Sequence, residues 1–405
     1  MQAYPSRIAW REALEIVAAT AQARRLPLER LSLGRVDGRV LGQDLVAPMA
    51  LPPFDNSRMD GFALRHADLS TDAPTRLRLV GEQFAGAGEG LSVGPGECAR
   101  ITTGAALPAG ADTVVIKEAV ILVEDGIRVP AGIALGADIR RAGEDVREGE
   151  LVLRAGQVLT PARVSLAAAL GVSDLAVARR PTVAVFTTGD ELIEPGMPLL
   201  PGQIYDSNRD LLMGLLRAQG LEPVAWPRLP DDPARIELLL RDAASAFDVV
   251  ITCGAVSAGE KDHLPGLLQQ HGQIDFWKVR MKPGMPVLFG RMDQAVFLGL
   301  PGNPVSVLAT FLMLSRPLLD GLQGRQDARP VVTAALRAPW RKTHARLEFL
   351  RGQLQYGEDA TLGVLPNPAD ASHRLRGAAQ SDALILLEEG EREYALGERV
   401  TVFPY

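Results

Sequence analysis

The chain is 405 residues long, beyond the roughly 250–300 residues at which a single hydrophobic core stops growing, so two to four domains are expected. With 47% hydrophobic and 23% charged residues it reads as a soluble globular protein, and lacking an uninterrupted apolar run of roughly 18 residues it is not expected to span a membrane. A net charge of -6 and an aromatic content of 5% leave neither a basic stripe nor stacking platforms, so nucleic acid is not an expected partner.

The opening MQAYPSRIAWREALEIV has no basic segment followed by an apolar core and a small-residue cleavage site, which predicts a cytoplasmic address. Residues 7–24 place Ile8, Ala13, Ile16, Val17 and Ala21 near helical spacing ahead of a basic pair, and predict a first helix. LPPFDNSRMDGFAL, residues 51–64, fits neither a helical nor a strand period and crowds Asp55, Asn56, Ser57 and Asp60 into one turn. From 47 to 143, short strand-like runs broken by Gly and Pro predict an inserted β domain. The flanking segments are 1–46 and 144–178, the second with a helix that Thr160 caps and Pro161 begins.

Residues 179–327 change texture. TVAVFTT, DVVITC and AVFLGL are apolar strand runs separated by helical patterns, the rhythm of a parallel α/β sheet. DSNRDLLMGLLRAQG supplies one helix with Asp206, Ser207 or Asn208 as its cap and Gly220 as its stop. Residues 328–405 return to alternating short runs and predict a C-terminal β-barrel-like domain. The fold class is thus α/β and β multidomain.

Three strands run straight into polar loops, FTTGDELIEPG, ITCGAVSAGEKD and LGLPGNPVS. Ligands of open parallel sheets bind beyond the carboxyl ends of the strands, so these loops are expected to line one crevice. Thr187, Thr188, Ser257 and Asn303 offer neutral donors, while Gly254, Gly259 and Gly302 allow close backbone approach to a phosphate. Neither GxxxxGK[ST] nor GxGxxG occurs. Asp190, Glu191 and Asp262, with Asp231 and Asp232 nearby, suit Mg²⁺, which needs only one or two carboxylates beside substrate oxygens and water. Lys278 and Lys282 would add point charges for an oxyanion. Cys98 and Cys253 have no CxxC spacing, and His66, His263, His271, His344 and His373 no metal-ligand spacing, so any sulfur chemistry must come from a ligand.

FDNSRMDGFAL, RITTGAALPAGADTVV, RRAGEDV, TTGDELIEPG, IYDSN, ITCGAVSAGEKD, KPGMP and GLPGNPVSVLATF follow one another as in the molybdopterin molybdenumtransferase family, the MoeA and gephyrin E-domain proteins, which this chain resembles over nearly its whole length. The resemblance implies a homodimer that inserts molybdate into the dithiolene of adenylylated molybdopterin, with Mg²⁺-dependent loss of AMP, giving molybdenum cofactor. It implies one discontinuous scaffold of mixed helix and strand formed by segments 1–46 and 144–178, and as partners the molybdopterin adenylyltransferase and molybdoenzyme maturation proteins. It places Asp60 and Thr103 at the α/β crevice of the partner protomer, and Glu191, Asp262, Lys278 and Lys282 among the catalytic groups, with Asp190, Glu191 and Asp262 at the metal. Substrate-binding positions implied are Thr188, Gly189, Asp190, Asp206, Ser207, Asn208, Asp231, Asp232, Gly254, Ser257 and Gly259, followed by Pro301, Gly302, Asn303 and Pro304 in the last loop. Arg346, Ser372 and Arg374 match positions that contact molybdate.

Two departures stand out, Ala255 where the family has a second Gly of GGVS and Met285 where it has the Lys of KPGKP. Ala255 is a mild change provided that its backbone does not need a positive φ. Met285 removes a cation from the anion site, which Arg280 is positioned in sequence to replace. Two other readings remain open: the adenylyltransferase step, whose enzymes share the α/β domain, and a non-catalytic paralogue that binds pterin or scaffolds partners.

Overall fold

Strands Val183–Thr187, Val249–Cys253 and Ala295–Leu300 are buried at every position, as apolar runs without alternation require when helices cover both faces of a sheet. The computed structural model in which they are seen describes residues 4–86, 90–230, 232–256, 263–357 and 361–405. The chain divides into two compact units, Met1–Glu29 with Gly38–Gly42 and Val177–Tyr405, and Arg30–Asp37 with Gln43–Ala176.

In the larger unit those strands are the centre of a seven-stranded sheet ordered Ser6–Ile8, Gly272–Val279, Leu288–Met292, Ala295–Leu300, Val249–Cys253, Val183–Thr187, Val224–Ala225. Register runs straight across it, with Thr187 beside Cys253 and Cys253 beside Leu300, so the loops that follow leave from one edge. The sheet is mixed, because Leu288–Met292 opposes both of its neighbours. Its exit is the two-residue turn Asp293-Gln294, which can only join antiparallel strands. Ile8 lies outside the first helix, which spans Trp10–Ala23: its backbone is taken by the sheet edge, where it pairs with Val279.

One face of the sheet is covered by Trp10–Ala23, Ser207–Ala218 and a continuous helix over Pro304–Leu322, the other by Pro233–Ala246 and Leu264–His271. Pro304–Leu322 is long and apolar enough to cross a membrane, contrary to the expectation from uninterrupted runs, but 83% of that stretch is buried in the protein core. It is a core helix, with a π-helical turn at Phe311–Ser315.

The same unit carries a second sheet at the C-terminus. Leu347–Tyr356 pairs with Leu362–Pro366 and with Ala383–Leu387, and Val332–Leu336 and Arg399–Pro404 complete the ring, so this sheet closes as a small barrel and leaves no long free edge. Met281–Lys282 adds to it in parallel, Met281 beside Leu347 and Lys282 beside Glu348.

The smaller unit is built on a six-stranded sheet ordered Thr113–Ile116, Gly61–Leu64, Glu97–Ile101, Thr75–Gln83, Gly126–Val129, Ile121–Val123. Its helix Pro161–Ala169 starts as expected, Thr160 accepting from Arg163 N at 3.4 Å with Pro161 in the first turn.

Asp248 joins the starts of two central strands. It accepts two hydrogen bonds from Arg179, at 2.7 and 2.9 Å, and two from Thr182, N at 2.7 Å and Oγ1 at 2.8 Å. Burial alone would raise its pKa, but these four donors outweigh it and hold the carboxyl below its ordinary value. A depressed carboxylate stabilises the fold above the unfolded pKa, near 4, and that contribution is lost as pH falls through the folded value. Asp248→Asn is therefore expected to cost about 1–3 kcal/mol at pH 7, measured by urea unfolding, and progressively less below pH 4, where the wild-type carboxyl also becomes neutral.

Candidate functional site

The loop after Val183–Thr187 is fixed through its carbonyls. Arg228 Nη1 donates to Gly189 O at 3.2 Å, Asp190 O at 3.1 Å and Leu192 O at 2.7 Å, while the side chains of Asp190 and Glu191 stay exposed. Thr188 N donates to Cys253 O at 3.0 Å, which seats this loop on the next strand. A Cβ on Gly254 would collide with Thr188 Oγ1, and Gly254 holds φ at +98°, so this glycine is required on both counts. Gly302 faces open space with Gly254 Cα at 4.0 Å, so its role is not close packing.

Several polar residues of the three loops hold the crevice rather than open onto it. Thr187 Oγ1 donates to Asp206 at 2.6 Å; Asp206 is 5% exposed and caps the helix Ser207–Ala218 by accepting from Arg209 N at 3.1 Å. Asn208 Nδ2 donates to Gly302 O at 2.6 Å and ties that helix to the last loop. Asp232 caps Pro233–Ala246 through Ala234 N at 3.1 Å. Asp231, Ser257, Gly259 and Asp262 lie outside the described residues. Neither cysteine offers a ready thiolate: burial pushes the Cys98 thiol up to about 12 and raises that of Cys253 as well, and Cys253 Sγ lies 3.2 Å from Pro301 O.

A cavity of about 390 Å³ opens where the turn 282–286, the loop at Pro301–Pro304 and the C-terminal barrel meet. Lys282, Met285, Asn303 and Arg346 line it together with Asp370, Ser372 and His373. Asn303 Nδ2 donates to Ser372 Oγ at 3.1 Å, and Val305 N to Ser372 O at 3.3 Å. Lys282 Nζ is 2.9 Å from Glu348 and 3.2 Å from Asp370. Burial would lower the Lys282 pKa, but the two carboxylates outweigh it and raise it above the ordinary lysine value, so the ammonium is fully charged. Arg346 has no ion pair or hydrogen bond from its guanidinium among the described residues. Four donors of two kinds, two cationic and two neutral, thus converge on a space fit for a small oxyanion.

Lys278 stands elsewhere on the crevice edge. Its ammonium lies 4.3 Å from the centre of the Trp277 ring, and Trp277 Nε1 donates to Val256 O at 2.9 Å, which places Lys278 beside the loop after Val249–Cys253. Arg374 is exposed and absent from the cavity wall; its carbonyl accepts from Arg351 Nη1 at 2.8 Å. Arg280 does not replace the cation missing at Met285, because it donates to Arg7 O at 3.2 Å and pairs with Glu389 at 3.6 Å, away from the cavity.

In the smaller unit the Asx-rich turn divides its work. Asp55 accepts from Ala142 N at 2.8 Å and Arg141 Nη1 at 2.6 Å, Asn56 donates to Phe54 O at 3.2 Å, and Ser57 to Met59 O at 2.6 Å. These three are the turn's own structure. Asp60 is exposed and accepts from Thr103 N and Oγ1, both at 2.9 Å, with Lys117 at 3.8 Å. The Thr103 amide, its hydroxyl and the charge of Lys117 lower the Asp60 pKa, so the pair presents a fixed negative charge.

Sequence reasoning missed the residues that position the site. Glu348 is 2% exposed, and Arg351, also 2% exposed, donates to the carbonyls of Ala369, Ala371 and Arg374 and so builds the loop that carries Asp370 and Ser372. The available signal was two charges, Glu348 and Arg351, inside the otherwise apolar strand LEFLRG.

Crevice loops at the ends of co-directional strands, joined to a cavity lined by Lys282, Arg346, Asn303 and Ser372, are the ligand-binding arrangement of an α/β protein. Three family models match in order: the MoeA N-terminal region (domain I and II) over residues 8–171, a probable molybdopterin binding domain over 184–321, and the MoeA C-terminal region (domain IV) over 333–405. The chain is 39% identical to a molybdopterin molybdenumtransferase of Haemophilus influenzae, covering 93% of this chain and 94% of that one. It is 38% identical to molybdopterin molybdenumtransferase 2 of Mycobacterium tuberculosis, over 92% and 93%. The crystal structure of a molybdopterin biosynthesis MoeA protein from Pyrococcus horikoshii superposes with a TM-score of 0.84 at 30% identity, covering 98% of this chain and 100% of that one. The chain belongs to the molybdopterin molybdenumtransferase (MoeA) family, a family of transferase enzymes.

Ala255 has φ +54°, so the condition for a mild change fails: the position favours the glycine of the family pattern. Left-handed backbone costs an L-residue roughly 1–2 kcal/mol, and glycine loses about 0.5–1 kcal/mol in chain entropy, so Ala255→Gly is expected to stabilise by about 0.5–1 kcal/mol in denaturant unfolding. A destabilised glycine variant would mean that packing of the Ala255 methyl dominates.

Proposed function

We propose that this protein is a molybdenum insertase, transferring molybdate into the dithiolene of adenylylated molybdopterin with release of AMP. The observation that carries the reading is the cavity at Lys282, Asn303, Arg346 and Ser372, which sets cationic and neutral donors for an oxyanion beside the crevice edge of the sheet. The substrate brings both sulfurs, so a chain without a cysteine cluster can handle molybdenum. In this reading Thr188, Gly189, Gly254, Gly302 and the first turn of Pro304–Leu322 face the phosphates, with Ser257 and Gly259 of the neighbouring loop. Lys282 and Arg346 hold molybdate, Ser372 and Asn303 orient it, and Lys278 meets the phosphates from the side of Trp277.

Mg²⁺ fits the carboxylates present. Among the described residues no three potential ligands cluster, but Asp190 and Glu191 are exposed on a loop pinned by Arg228, and with substrate oxygens and water two carboxylates suffice. Bound there, it would neutralise phosphate charge as AMP leaves, with Asp262, outside the described residues, as the third carboxylate of this reading. The reading includes the four-part division of the chain at 1–46 with 144–178, 47–143, 179–327 and 328–405. It also includes a cytoplasmic homodimer that takes adenylylated molybdopterin from the adenylyltransferase and passes molybdenum cofactor to molybdoenzyme maturation proteins.

The test is AMP release from purified protein given adenylylated molybdopterin, Mg²⁺ and molybdate, each omitted in turn. Release that requires all three supports insertion; tight binding of the adenylylated pterin without release supports a carrier instead, a reading that Met285 on the cavity wall favours. Met285→Lys is expected to lower the KM for molybdate about fivefold, the effect of one added cation at a partly exposed site. Asp60 and Thr103 are assigned to the partner protomer's site. Mixing Asp60→Ala with Glu191→Ala protein should then restore about a quarter of wild-type activity, since half the dimers are mixed and each has one intact site. No recovery would refute the shared site.

A further inference from the structure

Lys282 touches two carboxylates that differ in every physical respect. Glu348 comes from the adjacent position of the parallel ladder, its side chain is 3% exposed, and its second oxygen lies 3.2 Å from His344 Nε2. Behind it Lys342, 2% exposed, donates to His344 O and Gly390 O, both at 2.6 Å, so this wall is rigid. Asp370 sits on the loop that Arg351 anchors through backbone carbonyls, its side chain is 45% exposed, and its hydrogen bond among the described residues is the one to Lys282 at 3.2 Å. It lines the cavity with Lys282, Arg346, Asn303 and Ser372, so one carboxylate stands among two cations and two neutral polar side chains.

We infer that Asp370 occupies the place of the substrate oxyanion at Lys282 and is displaced when the anion binds, while Glu348 is the positioning residue that holds the Lys282 ammonium toward the cavity throughout. The inference rests on the cavity being the molybdate site. Displacement costs little, because an exposed ion pair is worth at most about 1 kcal/mol and the Asp370 carboxylate regains water. Exchange of Glu348 is not available, since without Lys282 its buried carboxylate would keep only His344 Nε2 at 3.2 Å and no solvent. Asp370 thus sets how tightly the site takes a free anion, and adds to the weakening caused by Met285.

The two roles predict effects of opposite sign. Molybdate alone is titrated into wild-type, Asp370→Asn, Glu348→Gln, Glu348→Asp and Arg346→Ala protein by calorimetry, with thermal unfolding as a folding control. Asp370→Asn is expected to tighten binding about two- to fivefold and, in turnover, to lower the KM for molybdate without raising kcat. Glu348→Gln is expected to weaken binding about tenfold, and Glu348→Asp to recover part of the loss. If both carboxylates acted through charge alone, both neutral variants would tighten binding; if both served only the fold, both would weaken it. Either pattern overturns the inference. Should Glu348→Gln fail to fold, Asp370→Asn decides alone, and unchanged or weaker binding refutes the displacement. If Arg346→Ala binds molybdate as wild type does, the anion is not in this cavity, and the site assignment falls together with the inference.

Discussion

The short parallel ladder that sets Met281 beside Leu347 and Lys282 beside Glu348 is the constraint on which the cavity depends. It is where a strand end of the seven-stranded sheet enters the C-terminal barrel, so the two layers share a backbone connection as well as a hydrophobic core. Leu347 and Phe349 turn to that core with Met281, while Glu348 between them points to the opposite face and is itself only 2% exposed. A carboxylate in such a place needs a cation with it, and the register supplies Lys282. The ion pair is a result of the ladder, and the direction of Lys282 is a result of the ion pair.

Arginine does the remaining positioning by holding carbonyls. Arg228 collects three carbonyls of the loop that bears Asp190 and Glu191, and Arg351 three of the loop that bears Asp370 and Ser372. A fork of several donors can fix a turn without using that turn's side chains, which remain free for a ligand. Polar loops on a rigid scaffold are a common arrangement for function. Here each loop has its own buried or half-buried anchor. Conformational cost enters at Ala255, where the chain holds a left-handed backbone without the glycine that makes it cheap.

The charge around the anion cavity is nearly balanced. Lys282 and Arg346 face it, Asp370 and the buried Glu348 answer them, and Met285 stands where the family pattern has another cation. A site with so little net charge binds an anion by geometry and exchange of partners more than by field strength. Rigid donors therefore matter more here than in a strongly cationic pocket, which fits the anchoring of both flanking loops.

The sequence by itself determined the elements with a one-dimensional signal. The buried strands showed as apolar runs, Thr160-Pro161 and Asp206 showed as helix starts, and the glycine-rich loops fell at strand ends where an α/β sheet binds its ligands. Ordered motifs carried the family. Local pattern could not give direction or pairing: that Leu288–Met292 runs against its neighbours, that Ile8 joins a sheet edge, and that Lys282 lies against Glu348, 66 positions away, are facts of register between distant segments. Nor could it tell which polar groups face solvent. Thr187 looked like a ligand donor because its chemistry suits one, and the fold engages it with Asp206, while Asn208 ties its helix to the last loop. A side chain's type is written in the sequence, but its partner is set by whatever the tertiary structure brings within hydrogen-bond reach.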